Sequence, residues 1–526
     1  MAIFSISHSN DGRKQLSLKS PVDLSHIGTY DCANKDEISK IMTQAKVAQA
    51  KWKTSTLKDR VELMHKVAEV VIDQQNQIME VVMRETGKPQ QEAMSMEVFS
   101  SVDSLIFYAN RAEKWLSDKK IKMHGPMRFI KKTFITYKPR GVVVVITPWN
   151  GPFILSINPV IQALLCGNSA IIKPSEITPM SGALVEEIFA LAGAPKHLVQ
   201  TVIGDGETGA ELIDQVPDKV SFTGSVSTGK KIASKCGEML IPFSLELGGK
   251  DAMIVCSDAD IKDAASGAVV GSCMNAGQYC CGTERIYVME DIYDEFVAEV
   301  VSITKSLVQS NDGKGDIGPT FWDKQIEIIE DHVKDAIDKG AKVLVGGNRN
   351  PSFKGLYFEP TVLVEVSHEM KVMKDETFGP IISIMKVSSE EEALTLANQS
   401  HYGLNGNVWT KDLVKGKKIA KSIETGACSV NDMAMSYGVN EVPFGGVKES
   451  GLGVVNGKEG LLGYAHAMPI IVGKKSASAY PYTDKSLDQL RSALKIFWGN
   501  KLVRKIFGLY YFGLATSKYE GISPPP

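Results

Sequence analysis

The sequence predicts an α/β protein of more than one domain: a doubly wound, Rossmann-like unit, a second α/β unit after it, and a β-ribbon. Three observations carry that prediction. The chain has 526 residues, well beyond the roughly 250–300 at which one hydrophobic core stops growing. After Arg140, short apolar runs alternate repeatedly with helical patterns, the rhythm of a parallel sheet with helices on both faces. The apolar runs are continuous rather than alternating, as strands covered on both sides are.

The first hundred-odd residues read as mostly helical. Over residues 34–52, Ile38, Ile41, Met42, Ala45 and Ala48 recur at helical spacing behind Asn34, a suitable cap. Residues 57–72 and 94–116 behave alike. Residues 127–137 mix β-branched and aromatic side chains with lysines, which predicts a hairpin or edge ribbon. Strands follow at 142–146, 170–172, 198–203 and 220–222, with helical patterns between them. A second unit starts near Leu247-Gly248-Gly249 and repeats the alternation: a strand at 252–255, a helix from Ile261, a strand at 286–288. The segment from Tyr480-Pro481-Tyr482 to Pro524-Pro525-Pro526 stands apart, and the chain has no internal repeat or low-complexity tract.

Composition narrows the function classes. Net charge is −2, with 43% hydrophobic and 23% charged residues, ordinary for a globular protein and unsuited to a nucleic-acid partner. Eight cysteines over this length are too sparse for a disulfide framework, and none has zinc-like spacing, so no metal site is expected. The N-terminus, Met1-Ala2-Ile3-Phe4-Ser5, lacks a basic segment before an apolar core. No apolar run nears the roughly 18 residues of a membrane span. A reducing, cytoplasmic setting is the expectation.

Several segments carry chemistry. Cys280 lies in Asn275-Ala276-Gly277-Gln278-Tyr279-Cys280-Cys281-Gly282. Flanking glycines leave its thiol approachable, and a thiolate is a strong nucleophile. A small buried hydrophobe is the other reading, which the glycines only weaken. Glu246, in Ser244-Leu245-Glu246-Leu247-Gly248-Gly249-Lys250, sits among leucines, where an apolar site would raise its pKa towards that of a general base. A salt-bridged strand end explains it equally well. Asn150 follows the 142–146 strand in Thr147-Pro148-Trp149-Asn150-Gly151-Pro152, at the carboxyl end where such sheets bind ligands, and could donate to an oxyanion. On that segment alone a turn residue between prolines is the simpler reading. Gly204-Asp205-Gly206-Glu207-Thr208-Gly209 spells a dinucleotide fingerprint without the acidic residue expected about 20 positions on. Phe222-Thr223-Gly224-Ser225-Val226-Ser227-Thr228-Gly229 opens a helix whose amides suit a pyrophosphate.

Together the chain resembles the aldehyde dehydrogenase superfamily from about residue 34 to 472. The ordered motifs are Pro148-Trp149-Asn150, Lys173-Pro174-Ser175-Glu176, Phe222-Thr223-Gly224-Ser225, Leu245-Glu246-Leu247-Gly248-Gly249-Lys250, Gly277-Gln278-Tyr279-Cys280, Glu376-Thr377-Phe378-Gly379-Pro380 and Pro443-Phe444-Gly445-Gly446. The resemblance implies that Cys280 attacks an aldehyde carbonyl, with Cys281 a bystander. Asn150 and the Cys280 amide hold the oxyanion, and Glu246 activates the water that releases the acid. It implies that Lys173, Ser175 and Glu176 meet the adenosine ribose and that Phe222, Gly224, Ser225 and Thr228 form the pyrophosphate turn. Gly206 and Gly209 neighbour the adenine, Ile146 and Trp149 line the cofactor cleft, and Glu376 and Phe378 hold the nicotinamide ribose and ring. A carboxylate at Glu176 repels a 2′-phosphate, which favours NAD while leaving NADP possible.

Family architecture assigns residues 1–124 and 140–246, with 432–455, to a cofactor-binding domain, and 247–431 to a catalytic domain. It assigns 125–139 and 456–480 to an oligomerisation ribbon of a homodimer or homotetramer, leaving 481–526 as a tail. Two departures matter. Gly151 stands where the family commonly has an aromatic residue, which implies a wider tunnel for bulky or long apolar aldehydes, with Met433-Ala434-Met435 as adaptable lining. In the tail, Leu490, Leu494, Phe497, Trp498, Val503, Ile506 and Phe507 interleave with Arg491, Lys495, Lys501, Arg504 and Lys505. That mixture suits peripheral membrane contact, as in fatty-aldehyde relatives with C-terminal extensions. Packing on its own or a neighbouring subunit is the preferred expectation, because Gly499, Gly508 and Gly513 interrupt the helix. A CoA-acylating dehydrogenase and a catalytically silent structural relative are the competing functions. Glu246 argues against the first and the intact Cys280, Glu246 and Asn150 against the second.

Overall fold

The computed structural model describes residues 12–433, 435–474 and 480–499, together with Leu502, Lys505, Ile506, Gly508 and Leu509. Expectations resting on Met1–Ser5, Ala434, the Met435 side chain, Lys501, Val503, Arg504, Phe507 and the segment from 510 onward lie outside the described residues. The chain divides into two units, residues 1–115 with 139–466 and residues 116–138 with 467–526.

The first unit opens with an antiparallel hairpin, β1 (Gln15–Lys19) and β2 (His26–Asp31), which the sequence reading did not anticipate. The Lys35–Trp52 helix follows behind a capping box: Asn34 Oδ1 accepts from the Glu37 amide at 2.9 Å and Glu37 returns the bond to Asn34 N at 3.0 Å. Ile38, Met42, Ala45 and Ala48 are buried, as their spacing predicts. Helices Leu57–Asp73 and Gln75–Thr86 come next. The helix predicted over 94–116 is regular only as Ser100–Leu116, because Ala93–Phe99 winds as a π-turn that places Glu97 in the interior.

Two strands of the second unit follow in the chain, β3 (Lys119–Ile121) and β4 (Lys131–Pro139), paired antiparallel. Back in the first unit, β5 (Val142–Ile146), β6 (Ser169–Lys173), β7 (Val199–Thr201), β8 (Lys219–Thr223) and β9 (Phe243–Glu246) are parallel in the order β9-β8-β5-β6-β7. The chain winds outward from β5 to β7, then returns to lay β8 on the other side of β5. The β5/β8 boundary is therefore the topological switch point, where the carboxyl ends leave a crevice. All four valines of β5 are buried, each worth roughly 1.5–3 kcal/mol relative to exposure.

The second sheet comprises β10 (Asp251–Val255), β11 (Thr283–Met289), β12 (Lys342–Val345), β13 (Thr361–Val364), β14 (Ile381–Val387), β15 (Gly406–Trp409) and β16 (Ser429–Val430), in the order β12-β13-β14-β11-β10-β15-β16. Only β12 runs antiparallel within it. Ala252 and Ile254 enter one apolar cluster while Met253 and Val255 enter another, so this sheet too is covered on both faces. A two-residue strand, β17 (Gly451–Leu452), returns to pair antiparallel with β9.

The second unit is a three-stranded sheet, with β18 (Ala465–Gly473) beside β4, together with the Asp484–Trp498 helix. Phe497 sits 6.0 Å from Phe129 and Trp498 6.2 Å from His124, ring to ring. The described part of the tail therefore rests on its own unit. Among the described residues no helix is long and apolar enough to cross a membrane.

Candidate active site

Asn150 and Gly224-Ser225 follow the carboxyl ends of β5 and β8, at the switch point, and Glu246 ends β9. Facing them are two loops that enter the second sheet at its amino edge. One carries Cys280 into β11, and the other carries Glu376 and Phe378 into β14. All of these line one cavity of about 270 Å³, with Trp149, Thr223, Leu247, Trp322 and Gln325. Its wall includes Trp149 set edge-on to Phe378, centroids 5.4 Å apart.

The Cys280 loop is held in an unusual backbone. Asn275, Ala276 and Gly277 all have left-handed φ, at 56°, 54° and 72°, a costly run for residues with side chains. A side chain at Gly277 would collide with the backbone of Gly379, so glycine there is what lets the two cavity loops meet. Cys280 is partly exposed, while Cys281 is fully buried in a cluster with Leu404 and Phe444. The hydrogen bond between the two thiols holds the Cys280 pKa above its usual range, and burial adds to that, as do the carboxyls of Asp251 and Glu376.

Glu246 is 5% exposed, and neither carboxylate oxygen has a hydrogen-bond partner among the described residues. The salt-bridged strand end is thereby excluded. Burial, with a smaller contribution from Cys281, pushes the Glu246 pKa well above the usual carboxylate range. Glu376 is half-buried, and its pKa is pushed up to about 8 by desolvation and by Glu284, although Gly249 N donates to it at 2.9 Å. Its loop is tied down from below. Lys250 forms a buried ion pair with Glu284 and donates to Thr377 Oγ1 at 3.1 Å, and Glu284 accepts from the amides of Thr377 and Phe378.

Asn150 is set by a network that the sequence reading missed. Its Nδ2 donates to Gln278 O at 3.1 Å. Its own carbonyl accepts from Asn275 Nδ2 at 2.9 Å and from Lys88 Nζ at 3.2 Å. Lys88 is fully buried against Glu97 at 2.6 Å, and Glu97 also accepts from the Phe153 and Ile154 amides. Nothing in the local pattern of Lys88 or Glu97 marks them, because charged residues at helix ends read as solvated.

The remaining expected cofactor residues do not line this cavity. Lys173 ends β6 with its ammonium 3.5 Å from Glu176, and burial lowers its pKa. Ser175 is buried beside them. A Cβ on Gly209 would meet only Lys173 and Ile146, at ordinary contact distance, which groups those three. Gly206 begins the Gly206–Asp214 helix, whose first amides are taken by Asp205, itself paired with Lys14. The fingerprint-like glycines thus open onto an amino end already capped by a carboxylate. Phe222 lies in β8 under Gly224, and Ser225 caps the Val226–Glu238 helix by accepting from Thr228 N.

Residues 7–469 match the model of the aldehyde dehydrogenase family. The chain belongs to that family. It is 37% identical over 486 residues to a 4,4'-diapolycopene aldehyde oxidase of a Methylomonas species, covering 91% of each chain. A Mycobacterium tuberculosis aldehyde dehydrogenase solved with NAD+ superposes with a TM-score of 0.84 at 29% identity, over 90% of this chain and 97% of that one. An NADP-dependent glyceraldehyde-3-phosphate dehydrogenase of Bacillus halodurans, solved with NADP, gives 0.83 at 32% identity, over 89% and 97%. This aldehyde dehydrogenase therefore has the α/β fold expected from its sequence and is an aldehyde-oxidising, NAD(P)-dependent oxidoreductase.

Proposed function

We propose that the enzyme oxidises bulky or long apolar aldehydes to free carboxylic acids, with Cys280 as nucleophile, Asn150 as oxyanion donor and Glu246 as the base for hydrolysis. One observation carries the reading. A buried carboxyl with two unsatisfied oxygens shares a cavity with an approachable thiol and a fixed amide donor. An unsatisfied buried carboxyl costs stability and is retained where its proton affinity is used.

The Cys280 thiol gives its proton to solvent, and its sulfur forms a C–S bond to the carbonyl carbon while the carbonyl electron pair moves to oxygen. Asn150 Nδ2 and the Cys280 amide stabilise that oxyanion. A bound nicotinamide supplies the hydride acceptor. When the oxyanion pair re-forms the carbonyl and the hydride leaves carbon, Cys280 is left as a thioester. Glu246 then takes a proton from water, the hydroxide adds, the C–S bond breaks, and the acid leaves with Cys280 regenerated. A base in this position favours water over coenzyme A as the acyl acceptor.

The residues present fit a dinucleotide. Trp149 and Phe378 offer flat walls in the cavity, Gly224-Ser225 leads to a helix amino end, and the Lys173–Glu176 pair stands at the end of β6 for ribose hydroxyls. Glu176, side chain 42% exposed, would accept from those hydroxyls and repel a 2′-phosphate, so NAD is the preferred cofactor. For the substrate, Gly151 adds no side chain beside Asn150; it is buried, and a Cβ there would already meet Leu155 and Ile154 at 3.2–3.3 Å. Cys280, Tyr279 and Tyr437 pack against the buried cluster of Cys281, Leu404, Phe444 and Val455, which supports apolar surroundings for the thiol. The Methylomonas relative is named for the oxidation of 4,4'-diapolycopene aldehyde. Strand β18 is an edge strand with Ile471 and Val472 exposed, which supports its pairing with a second copy in a homodimer or homotetramer. Measuring kcat/KM for NAD reduction over a series of aldehyde chain lengths tests the substrate class. The value should rise with chain length without coenzyme A, and a preference for acetaldehyde would overturn it.

A further inference from the structure

One face of the first sheet leads to Glu246 through polar residues that the chemistry above leaves idle. Ser221 on β8 pairs with Ser244 on β9, and Thr223 pairs with Glu246. Side chains alternate along a strand, so Lys219, Ser221 and Thr223 share a face with Ser244 and Glu246. Val220, Phe222, Phe243 and Leu245 turn the other way, into an apolar cluster. The polar residues are joined to one another. Lys219 Nζ donates to Ser244 Oγ at 3.2 Å, Ser244 Oγ donates to Ser221 Oγ at 3.5 Å, and Ser221 Oγ meets the Tyr464 hydroxyl at 3.0 Å. Tyr464 covers the set, with Lys219 Nζ 5.1 Å from its ring centre. Burial holds the Tyr464 hydroxyl above its usual pKa, and Cys166 and Glu246 add to that, which puts Tyr464 beside the base.

Lys219 is 4% exposed, and no carboxylate pairs with it among the described residues. Burial, with Arg140 beside it, pushes its pKa down to about 7. A buried amine of this kind can both take and release a proton near neutral pH. Glu246 needs such a group. Its own pKa lies well above the usual carboxylate range, so the resting side chain holds a proton that must leave before it can act as a base. We propose that Tyr464, Ser221, Ser244 and Lys219 form a relay that removes this proton and readies Glu246 for each hydrolysis. Residues on one face of a strand stand about 7 Å apart, so one water spans Glu246 to Ser244 or to the Tyr464 hydroxyl. The Glu246 O–H bond breaks, each hydroxyl accepts one proton and gives up another, and the last proton binds the lone pair of the Lys219 amine. The ammonium then returns it to solvent at the amino end of β8. The inference rests on the reading of Glu246 as the base.

Lys219→Met and Ser244→Ala each break the relay without altering a residue that lines the cavity. In both, the steady-state rate of NADH formation should fall about tenfold, short of the roughly 10²–10⁴-fold expected for losing the base itself. The first burst of NADH should persist, and the thioester on Cys280, counted by acid quench with a labelled aldehyde, should accumulate. Added imidazole should carry the proton instead, restoring both variants while leaving the parent rate unchanged. The urea midpoint of Lys219→Met should equal or exceed that of the parent, because methionine replaces a buried amine that has no acid partner; this certifies the fold. Parent rates in both variants would overturn the relay. So would slow variants that imidazole does not speed, because Lys219 and Ser244 would then only support the structure. A parent rate in Glu246→Gln is the separate result that would remove the base, and the relay with it.

Discussion

Replacing Glu246 with glutamine separates the two halves of the proposed reaction. The side chain keeps its size, so the cavity keeps its shape, but it can no longer take a proton from water. Positioned general bases contribute roughly 10²–10⁴-fold, or about 3–5 kcal/mol of barrier, and here that whole amount falls on thioester hydrolysis. Stopped-flow absorbance at the NADH band should show a burst of about one NADH per active site, followed by a steady-state rate lowered about 10²–10⁴-fold. The burst persists because bond formation by Cys280 and hydride loss do not need the base. Loss of the burst in proportion to the steady-state rate would refute the assignment, placing Glu246 in activation of the thiol. An unchanged steady state would refute it too.

The same substitution has a signature in stability. Glu246 in the native protein holds its proton above the usual 4.5, where the unfolded chain has already lost it. Over that window the unfolded state binds fewer protons, so stability falls as pH rises, by up to about 1.4 kcal/mol per pH unit, until the native pKa is passed. Glutamine does not titrate. Urea midpoints should therefore fall less for Glu246→Gln than for the parent between about pH 5 and 8. Glu85 and Glu92, both pushed up to about 7 mainly by burial, add the same slope to both proteins and cancel in the difference.

Cys280→Ser should lower turnover by at least about a thousandfold, whereas Cys281→Ala, altering a thiol with no exposure to the cavity, should stay within about tenfold; equal losses would make the pair one functional unit. Asn150→Ala should cost about 10²–10³-fold in kcat and abolish the burst as well as the steady state, which distinguishes it from Glu246→Gln in the same trace. Lys88→Met leaves Glu97 buried without its cation. It should cost about 3–5 kcal/mol in urea unfolding together with a fall in kcat, and unchanged unfolding would remove the ion pair from the account. Glu176→Gln should raise kcat/KM for NADP relative to NAD, measured with one aldehyde, and a constant ratio would deny that carboxylate its role.

Elements built from local pattern were legible. Asn34 announces its helix because a capping box is a local interaction, and β5 announces itself because four consecutive valines have no solvated face to turn to. The β1 hairpin had its signal, with Leu16 and Leu18 alternating with polar residues, but five residues of alternation are short evidence for a strand. The π-turn at Ala93–Phe99 has none, since one extra residue per turn scarcely disturbs a helical spacing. Lys119–Ile121 is charged, and it becomes a strand only because β4 offers it a partner.

The site divides along the same line. The rule that parallel sheets bind ligands at their carboxyl ends reaches Asn150, Gly224 and Ser225, and they meet at the β5/β8 switch point. Cys280, Glu376 and Phe378 arrive instead from loops entering the amino edge of the other sheet, where the rule gives no reason to look. What joins the halves is long-range: Asn150 Nδ2 on Gln278 O, Asn275 on Asn150 O, and Gly277 against Gly379. Residues making those joins have ordinary surroundings in the chain. Asn275 reads as a loop asparagine and Lys88 as a solvated charge. Their meaning depends on being buried together, which is set by two sheets closing over one cavity rather than by the spacing of any single segment. A change at Lys88 should accordingly disturb Asn150 through its carbonyl while leaving the lining of the Cys280 side intact. Loss of the burst amplitude in Lys88→Met, with Cys280 still alkylated at the parent rate by iodoacetamide, is the pattern that this coupling predicts.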